Sequence, residues 1–427
     1  MRSLLRATLL RGVIVLIVLM SSSAARAARV ETRSYATETE HYRIHTDVSP
    51  EFAKLVGEHM EEIYEAYISR FRGFKIRRHG RFDVKVFTRK ADYEAAVPPE
   101  LQGSTGAFVS RDRLLAAYKG GRTDEVVFRT LYHEGFHQFM FTGIVRNPPL
   151  WVNEGMAEYF AEATWNGRSF STGRVPARRL NTMRKALRRR EHIPLANLFA
   201  MEDGAWLANV RAGQTEVSLQ YTEAWSVVHF LIHADGGSYR PRLLTYLRLL
   251  GDGTDRMRAF QESFGAGTAG LERAWTAYVM RLKVDPDDVC RRNLEALAHL
   301  AKLIHKDPRR FRSLVYLKSR LRDSRSEWYV ESSDGHRITS GRPGEVMGLF
   351  CCPRAKDRLA MSYLALKDPK TGLLLLACTK HRGVVMLARY VSKPDGTYVV
   401  GVEQVVRATL STPLKMALMD AEQNPGR

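Results

Sequence analysis

The sequence is poor in cysteine: only Cys290, Cys351, Cys352 and Cys378 occur in 427 residues. None forms a CxxC pair, which argues against a cysteine zinc site. Two disulfides joining Cys290 and Cys378 to the Cys351–Cys352 pair are permitted in an exported chain, and buried free thiols are the alternative. Long apolar runs are equally scarce. After Gly12–Met20 (GVIVLIVLM) no segment is long and apolar enough to span a bilayer, so the mature chain is expected to be soluble or peripheral. No repeat period and no low-complexity tract is visible. Acids are outnumbered, 46 against 66 Lys and Arg, giving a net charge of +20 and a pI near 9.9. Such a surface favours polyanions (nucleic acid, anionic lipid or an acidic envelope polymer), or it is simply a solvated basic exterior. Paired Cys-His fingers and aromatic RNA-binding motifs are missing, so no specific nucleic-acid partner is expected.

What is present is a globular balance, 44% hydrophobic and 26% charged. The length implies more than one core. At the start, Arg2, Arg6 and Arg11 precede the short apolar run, and Ala25-Arg26-Ala27 offers a small-x-small cleavage site. Residues 1–27 therefore read as a secretory signal peptide, with an uncleaved anchor as the alternative, and place the chain in the periplasm, cell envelope or medium.

Residues 28–122 read as a mixed α/β layer. Strands are expected at His41–Thr46 and Phe82–Thr88, with two short ones within Gly106–Tyr118. Ser49-Pro50-Glu51 starts a helix whose apolar positions run from Phe52 to Phe71. Residues 123–284 read as helical: one helix from Thr123 to about Phe141, a break at Asn147-Pro148-Pro149, a return helix from Leu150 to Thr164, and further helices to Leu282. Residues 285–427 read as an accessory domain, a helix over Asp288–Lys306 and then antiparallel strands with turns at Ser333-Asp334-Gly335 and Pro394-Asp395-Gly396. The fold class is thus α+β.

The sharpest chemical signal is His133-Glu134-Gly135-Phe136-His137. Histidines at i and i+4 share one helix face, so both imidazoles can bind one ion, and Glu134 beside them can take a proton from a bound water. By chance this pattern is expected roughly 0.02 times in such a chain. Gly135 costs the helix about 1 kcal/mol, which close packing would explain. A catalytic zinc needs a third protein ligand and an open position. Glu154, in Trp151–Tyr159 (WVNEGMAEY), is reached after a helix end, a proline turn and an antiparallel return. Glu158 lies one turn further on the same face and is placed to hold the outer nitrogen of His133 or His137. Salt-bridged surface acids are the bland reading of both.

These residues resemble the gluzincin peptidases, in which HExxH is followed by a Glu on the next helix, and WVNEGMAEYF is similar to a segment of the zinc aminopeptidases of that clan. The stretch from His41 to Leu282 more closely resembles a peptidase-MA-like bacterial family of otherwise unknown function. The resemblance implies that His133, His137 and Glu154 bind Zn2+, that Glu134 activates water, and that Tyr221 hydrogen-bonds the oxyanion. Tyr221 leads into an apolar helix as in the aminopeptidases but lacks the Lys-Gly that follows there, and a buried core tyrosine is its plain alternative. The aminopeptidases also carry a Gly-x-Met-Glu-Asn strand that grips the substrate's amino terminus. Gly106–Ser110 has no acid at that place, so an endopeptidase acting on a peptide or protein is favoured.

His229 and His233 repeat the i, i+4 spacing with no acid between them and read as packed histidines. The basic stretch Arg174–Arg190 is either a solvated helix face or a surface for acidic substrates and an anionic envelope. Two rivals stand beside the peptidase: a catalytically inactive zincin-fold scaffold, and a polyanion-binding envelope protein whose metal is closed by a fourth protein ligand.

Overall fold

A computed structural model of the chain describes residues 34–424 apart from 77–79, 167, 213, 306, 312, 325, 333–335, 356–360, 382 and 394–396. The segment read as a signal peptide and the turns expected at 333–335 and 394–396 lie outside the described residues.

Alternating residues lay down β1 (Tyr35–Glu38), β2 (Tyr42–Thr46) and β3 (Phe82–Phe87), and short apolar runs around a polar turn give β4 (Gly106–Val109) and β5 (Leu114–Tyr118). They form one sheet in the order β1-β2-β3-β5-β4. The middle strands β2, β3 and β5 are parallel, and β1 and β4 are antiparallel edges. Helix α1 (Pro50–Arg70) makes the crossover from β2 to β3. The Ser49 hydroxyl caps it by accepting from the Phe52 amide at 3.1 Å, and Pro50 occupies the first turn, where no N–H is needed. Val56, Met60, Ile63 and Tyr67 of α1 are buried against Ile44, Val84 and Leu115. The opposite sheet face sends Ala107, Val109 and Ala116 into a smaller cluster with Tyr93 and Val97, at the helix α2 (Lys90–Ala96). Leu115 and Ala116 thus enter different cores, as the two-residue period of a strand requires.

Helices follow: α3 (Asp124–Phe139), α4 (Leu150–Ala161), α5 (Ala177–Arg189), α6 (Leu195–Ala200), α7 (Asp203–Ala212), α8 (Gln214–His233), α9 (Arg240–Gly251), α10 (Arg256–Phe264) and α11 (Ala269–Arg281). The small hairpin β6 (Thr164–Trp165) and β7 (Phe170–Ser171) separates α4 from α5. One large core joins these helices to the sheet.

A second core begins at α12 (Pro286–His305) and continues through α13 (Leu314–Arg322), β8 (Tyr329–Glu331), β9 (Arg337–Thr339) and α14 (Pro343–Gly348). Strands β10 (Leu364–Lys367), β11 (Leu374–Cys378), β12 (Val384–Ser392) and β13 (Tyr398–Val406) form an antiparallel sheet in sequence order. Its Leu374, Leu376 and Cys378 join the core that holds α12. Leu375 and Ala377 are covered instead by Leu414 and Leu418 of a final helix, α15 (Thr412–Gln423). Both faces are buried, which is why β11 is one unbroken apolar run. The expectation of a single helix followed only by strands is corrected by α13, α14 and α15.

The two cores are clamped together at the start of α3. Arg291 of α12 donates to both oxygens of Glu125 at 2.8 and 3.0 Å and to the carbonyl of Val402 on β13 at 2.8 Å. Arg174 pairs with Asp288, whose other oxygen accepts from the amide of Ala177 at 2.8 Å.

Candidate metal centre

Helix α3 opens with Asp124 and Glu125 at its positive end and buries Val127, Phe128, Leu131 and Phe136. Gly135 lets it sit tightly on α1 and the sheet. A Cβ there would lie 3.0 Å from the Met60 methyl and 3.2 Å from the Tyr67 hydroxyl, so close packing accounts for a glycine in mid-helix. After a turn of π-helix over Met140–Ile144, Pro149 precedes α4, which returns against α3.

This return brings three predicted ligands together. His133 Nε2 and His137 Nε2 are 3.1 Å apart. Glu154 Oε2 lies 3.3 Å from the first and 3.5 Å from the second. A tetrahedral zinc at about 2.0–2.1 Å from nitrogen and oxygen donors needs those donors about 3.3–3.4 Å apart, so the residues fit the ion. Glu154 Oε2 is buried and has no well-aligned hydrogen-bond donor. Among the described residues no fourth His, Cys, Asp or Glu joins the group.

Electrostatics favour positive charge at the same point. Burial works to lower the His133 pKa, but Glu154, Glu158 and Glu134 outweigh it and lift it to about 9. His137 is raised against the same burial, chiefly by Glu154. Burial alone would raise Glu154, yet His137 and His133 hold it far below the ordinary carboxylate range.

Glu134 Oε2 accepts from the amide of Phe108 on edge strand β4 at 3.0 Å. Gly106 makes this approach possible, because a Cβ there would run into the Thr130 methyl and lie 3.4 Å from Glu134 Cγ. Glu158 Oε1 is 3.7 Å from His133 Nδ1, beside the outer nitrogen but beyond hydrogen-bond reach. Its Oε2 pairs with Arg179 of α5, whose Nε also donates to Glu162 at 2.9 Å. Burial would raise Glu162, but Arg129, Arg179 and Arg174 bring it down to about 2.

Tyr221 lies half-buried on α8, edge-on to Trp206 at 5.6 Å between ring centroids. Burial, then the charges of Glu154, Glu158 and Glu134, push its phenol above the ordinary value. It therefore stays protonated beside the carboxylates of the site. His229 and His233 are packed as expected: His229 contacts the Tyr278 hydroxyl at 2.8 Å and the Gly173 carbonyl at 3.1 Å, and His233 the Tyr159 hydroxyl at 3.0 Å. In the basic segment, Arg179 and Arg184 are turned inward, Arg184 donating to the Val279 and Met280 carbonyls at 3.2 and 3.0 Å. Arg178, Lys185, Arg188, Arg189 and Arg190 are exposed.

Of the two readings left open for the cysteines, the structure has the free thiols: all four are unpaired by disulfides. Three of them, Cys290, Cys352 and Cys378, meet His381 in a buried group of metal-ligand type, a correction to the expectation that the lack of a CxxC pair argues against a cysteine zinc site. The trace in the sequence is Cys378-x-x-His381, a pair that a search for CxxC passes over.

Residues 127–247 match a family described as Protein of unknown function (DUF1570). That segment contains His133, Glu134, His137, Glu154, Glu158 and Tyr221, and ends well before the cysteines. No curated protein matches the chain.

Proposed function

We propose that this chain is an exported zinc-dependent metallopeptidase of the gluzincin type, and an endopeptidase in preference to an aminopeptidase. The observation that carries the reading is the triangle of His133, His137 and Glu154 donor atoms, 3.1 to 3.5 Å on its edges, with Glu134 next to it on the same helix. Three protein ligands with no fourth among the described residues suit a site that must admit a substrate.

A zinc ion held by these residues supplies Lewis acidity toward water and toward a carbonyl oxygen. The rest falls to side chains and backbone. Glu134 takes the proton of the attacking water and delivers it to the leaving amine; its hydrogen bond from Phe108 fixes where the carboxylate stands. Tyr221, kept protonated, donates to the carbonyl oxygen as it gains charge. Strand β4 is an edge of its sheet among the described residues, with Glu134 on the Phe108 amide, and an extended peptide can pair along the rest of that edge without any acid to demand a free amino terminus. The exposed cations of α5 support acidic substrates or attachment to an anionic envelope surface.

The test is metal content and cleavage of a peptide library by the mature protein and by Glu134→Gln. The peptidase reading expects zinc in both and cleavage by the wild type alone. Zinc in both with cleavage by neither would favour the inactive scaffold, and absence of metal at His133, His137 and Glu154 would end the proposal.

A further inference from the structure

Four soft or borderline ligands converge in the second core, far along the chain from the HExxH helix. Cys290 is on α12, Cys352 follows α14, Cys378 ends β11, and His381 lies three residues later. The three cysteines are fully buried and His381 is 6% exposed. Cys290 Sγ is 2.9 Å from Cys352 Sγ, 3.3 Å from Cys378 Sγ and 3.2 Å from His381 Nε2, and Cys352 Sγ is 3.7 Å from the same nitrogen. All four donor atoms lie within 4.8 Å of one another.

We propose that Cys290, Cys352, Cys378 and His381 form a second metal centre, a closed Cys3His site for a structural zinc ion that ties α12 to the C-terminal sheet. A tetrahedron with Zn–S of about 2.3 Å has sulfur–sulfur edges of about 3.7 Å, so the ligands need to spread by less than about 1 Å to seat the ion. The span is too small for a cluster of several metal atoms. Three thiolates and a neutral imidazole are the donor set of structural zinc, and four protein ligands leave no position for a substrate.

The surroundings are those of a metal ligand set and not of a disulfide. His381 Nδ1 is 3.1 Å from Asp287 Oδ1, which fixes the tautomer so that Nε2 turns its lone pair to the sulfurs. Arg354 pairs with Asp287. The Tyr363 hydroxyl is 3.4 Å from Cys290 Sγ. A bond between any two of the cysteines would leave one buried thiol and an Asp-backed histidine with nothing to bind. The ion also explains how a small core is closed, since Cys290 stands 62 residues before Cys352 and 88 before Cys378. Thiols must lose their protons to bind, and three thiolates with Zn2+ leave one net negative charge beside Arg354.

The full chain tests this without reference to activity. Metal is counted in the wild type, in His133→Ala/His137→Ala, and in Cys378→Ser, and each is reloaded with cobalt(II) after chelation. The proposal expects the His133→Ala/His137→Ala protein to keep one zinc per chain and to show the near-ultraviolet thiolate-to-cobalt absorption, and Cys378→Ser to lose that absorption. The three buried cysteines of the wild type should become reactive to a thiol reagent only after chelation. No metal in the His133→Ala/His137→Ala protein, or a disulfide between Cys290 and Cys352 in peptide maps of the wild type, overturns it. Because the double variant removes the HExxH ligands, failure of the peptidase reading and failure of this one register separately.

Discussion

Gly155 and Ala224 hold α4 and α8 together at backbone contact: a Cβ on Gly155 would lie 2.5 Å from the Ala224 carbonyl oxygen and 2.7 Å from a Val228 methyl. The residue before Gly155 is Glu154, a proposed metal ligand, and three residues before Ala224 stands Tyr221. The spacing of these two helices therefore sets the distance between the proposed ligand Glu154 and the Tyr221 phenol. Gly155→Ala is expected to destabilise the chain by about 1–3 kcal/mol through overpacking and to weaken metal binding as Glu154 is displaced. Gly204→Ala, where a Cβ meets nothing within 4 Å, is the control and should hold stability or raise it slightly. Thermal unfolding and zinc titration read both, and an unchanged Gly155→Ala would refute the argument.

Tyr221→Phe isolates the phenol. If its hydroxyl meets the carbonyl oxygen only as charge develops, kcat should fall about 100- to 1000-fold, with KM and zinc content little changed. A fall in stability with unchanged kcat would return Tyr221 to the plain packing role.

The metal triangle was legible because helix geometry is local. His133 and His137 share a face by spacing alone, and the prolines before Leu150 announce the return that carries Glu154. The strands β2 and β3 were legible for the same reason, as alternation reports two faces, while β4 and β5 showed as two short apolar runs around a polar turn. Arg179 was not legible. Its partners Glu158 and Glu162 are met only once α5 and α4 have both packed on α8, and nothing in a basic run distinguishes the arginine that turns inward. The cysteine group is harder still, its ligands coming from three segments joined only by the second core. Helix α15 leaves a faint trace, since only Leu414 and Leu418 of its residues are buried.

Arg179 is expected to matter more than an exposed arginine. It is half-buried between Glu158 and Glu162, and Glu162 is only 2% exposed. Arg179→Met leaves that carboxylate with Arg129 alone at hydrogen-bond distance, a loss on the order of 3 kcal/mol for a broken buried pair. Zinc affinity should also fall, by about tenfold, as Glu158 beside His133 loses its anchor. Arg188→Met, on the exposed side of α5, should leave both quantities unchanged. Denaturant unfolding and competitive zinc titration compare the two, and equal behaviour of the variants would contradict the packing argument.

The last prediction concerns pH. Glu223 on α8 is fully buried; one oxygen accepts from the Ile193 amide at 3.0 Å and the other has no partner. Burial raises its pKa to about 8, the Ile193 hydrogen bond opposing and the Glu272 charge assisting. In the unfolded chain the same group titrates near 4.3. Between these values the folded state binds more protons than the unfolded state, so this group's contribution to stability is full below about 4.3 and is lost as pH rises toward 8. The loss reaches the order of 3 kcal/mol by pH 7. Glutamine keeps the acceptor for Ile193 and cannot ionise. Glu223→Gln should therefore match the wild type near pH 4.5 and exceed it increasingly up to pH 8. The difference between the two unfolding curves isolates Glu223 from histidines such as His229, whose pKa burial lowers to about 4. A constant offset across that range would mean that Glu223 is ionised in the fold throughout.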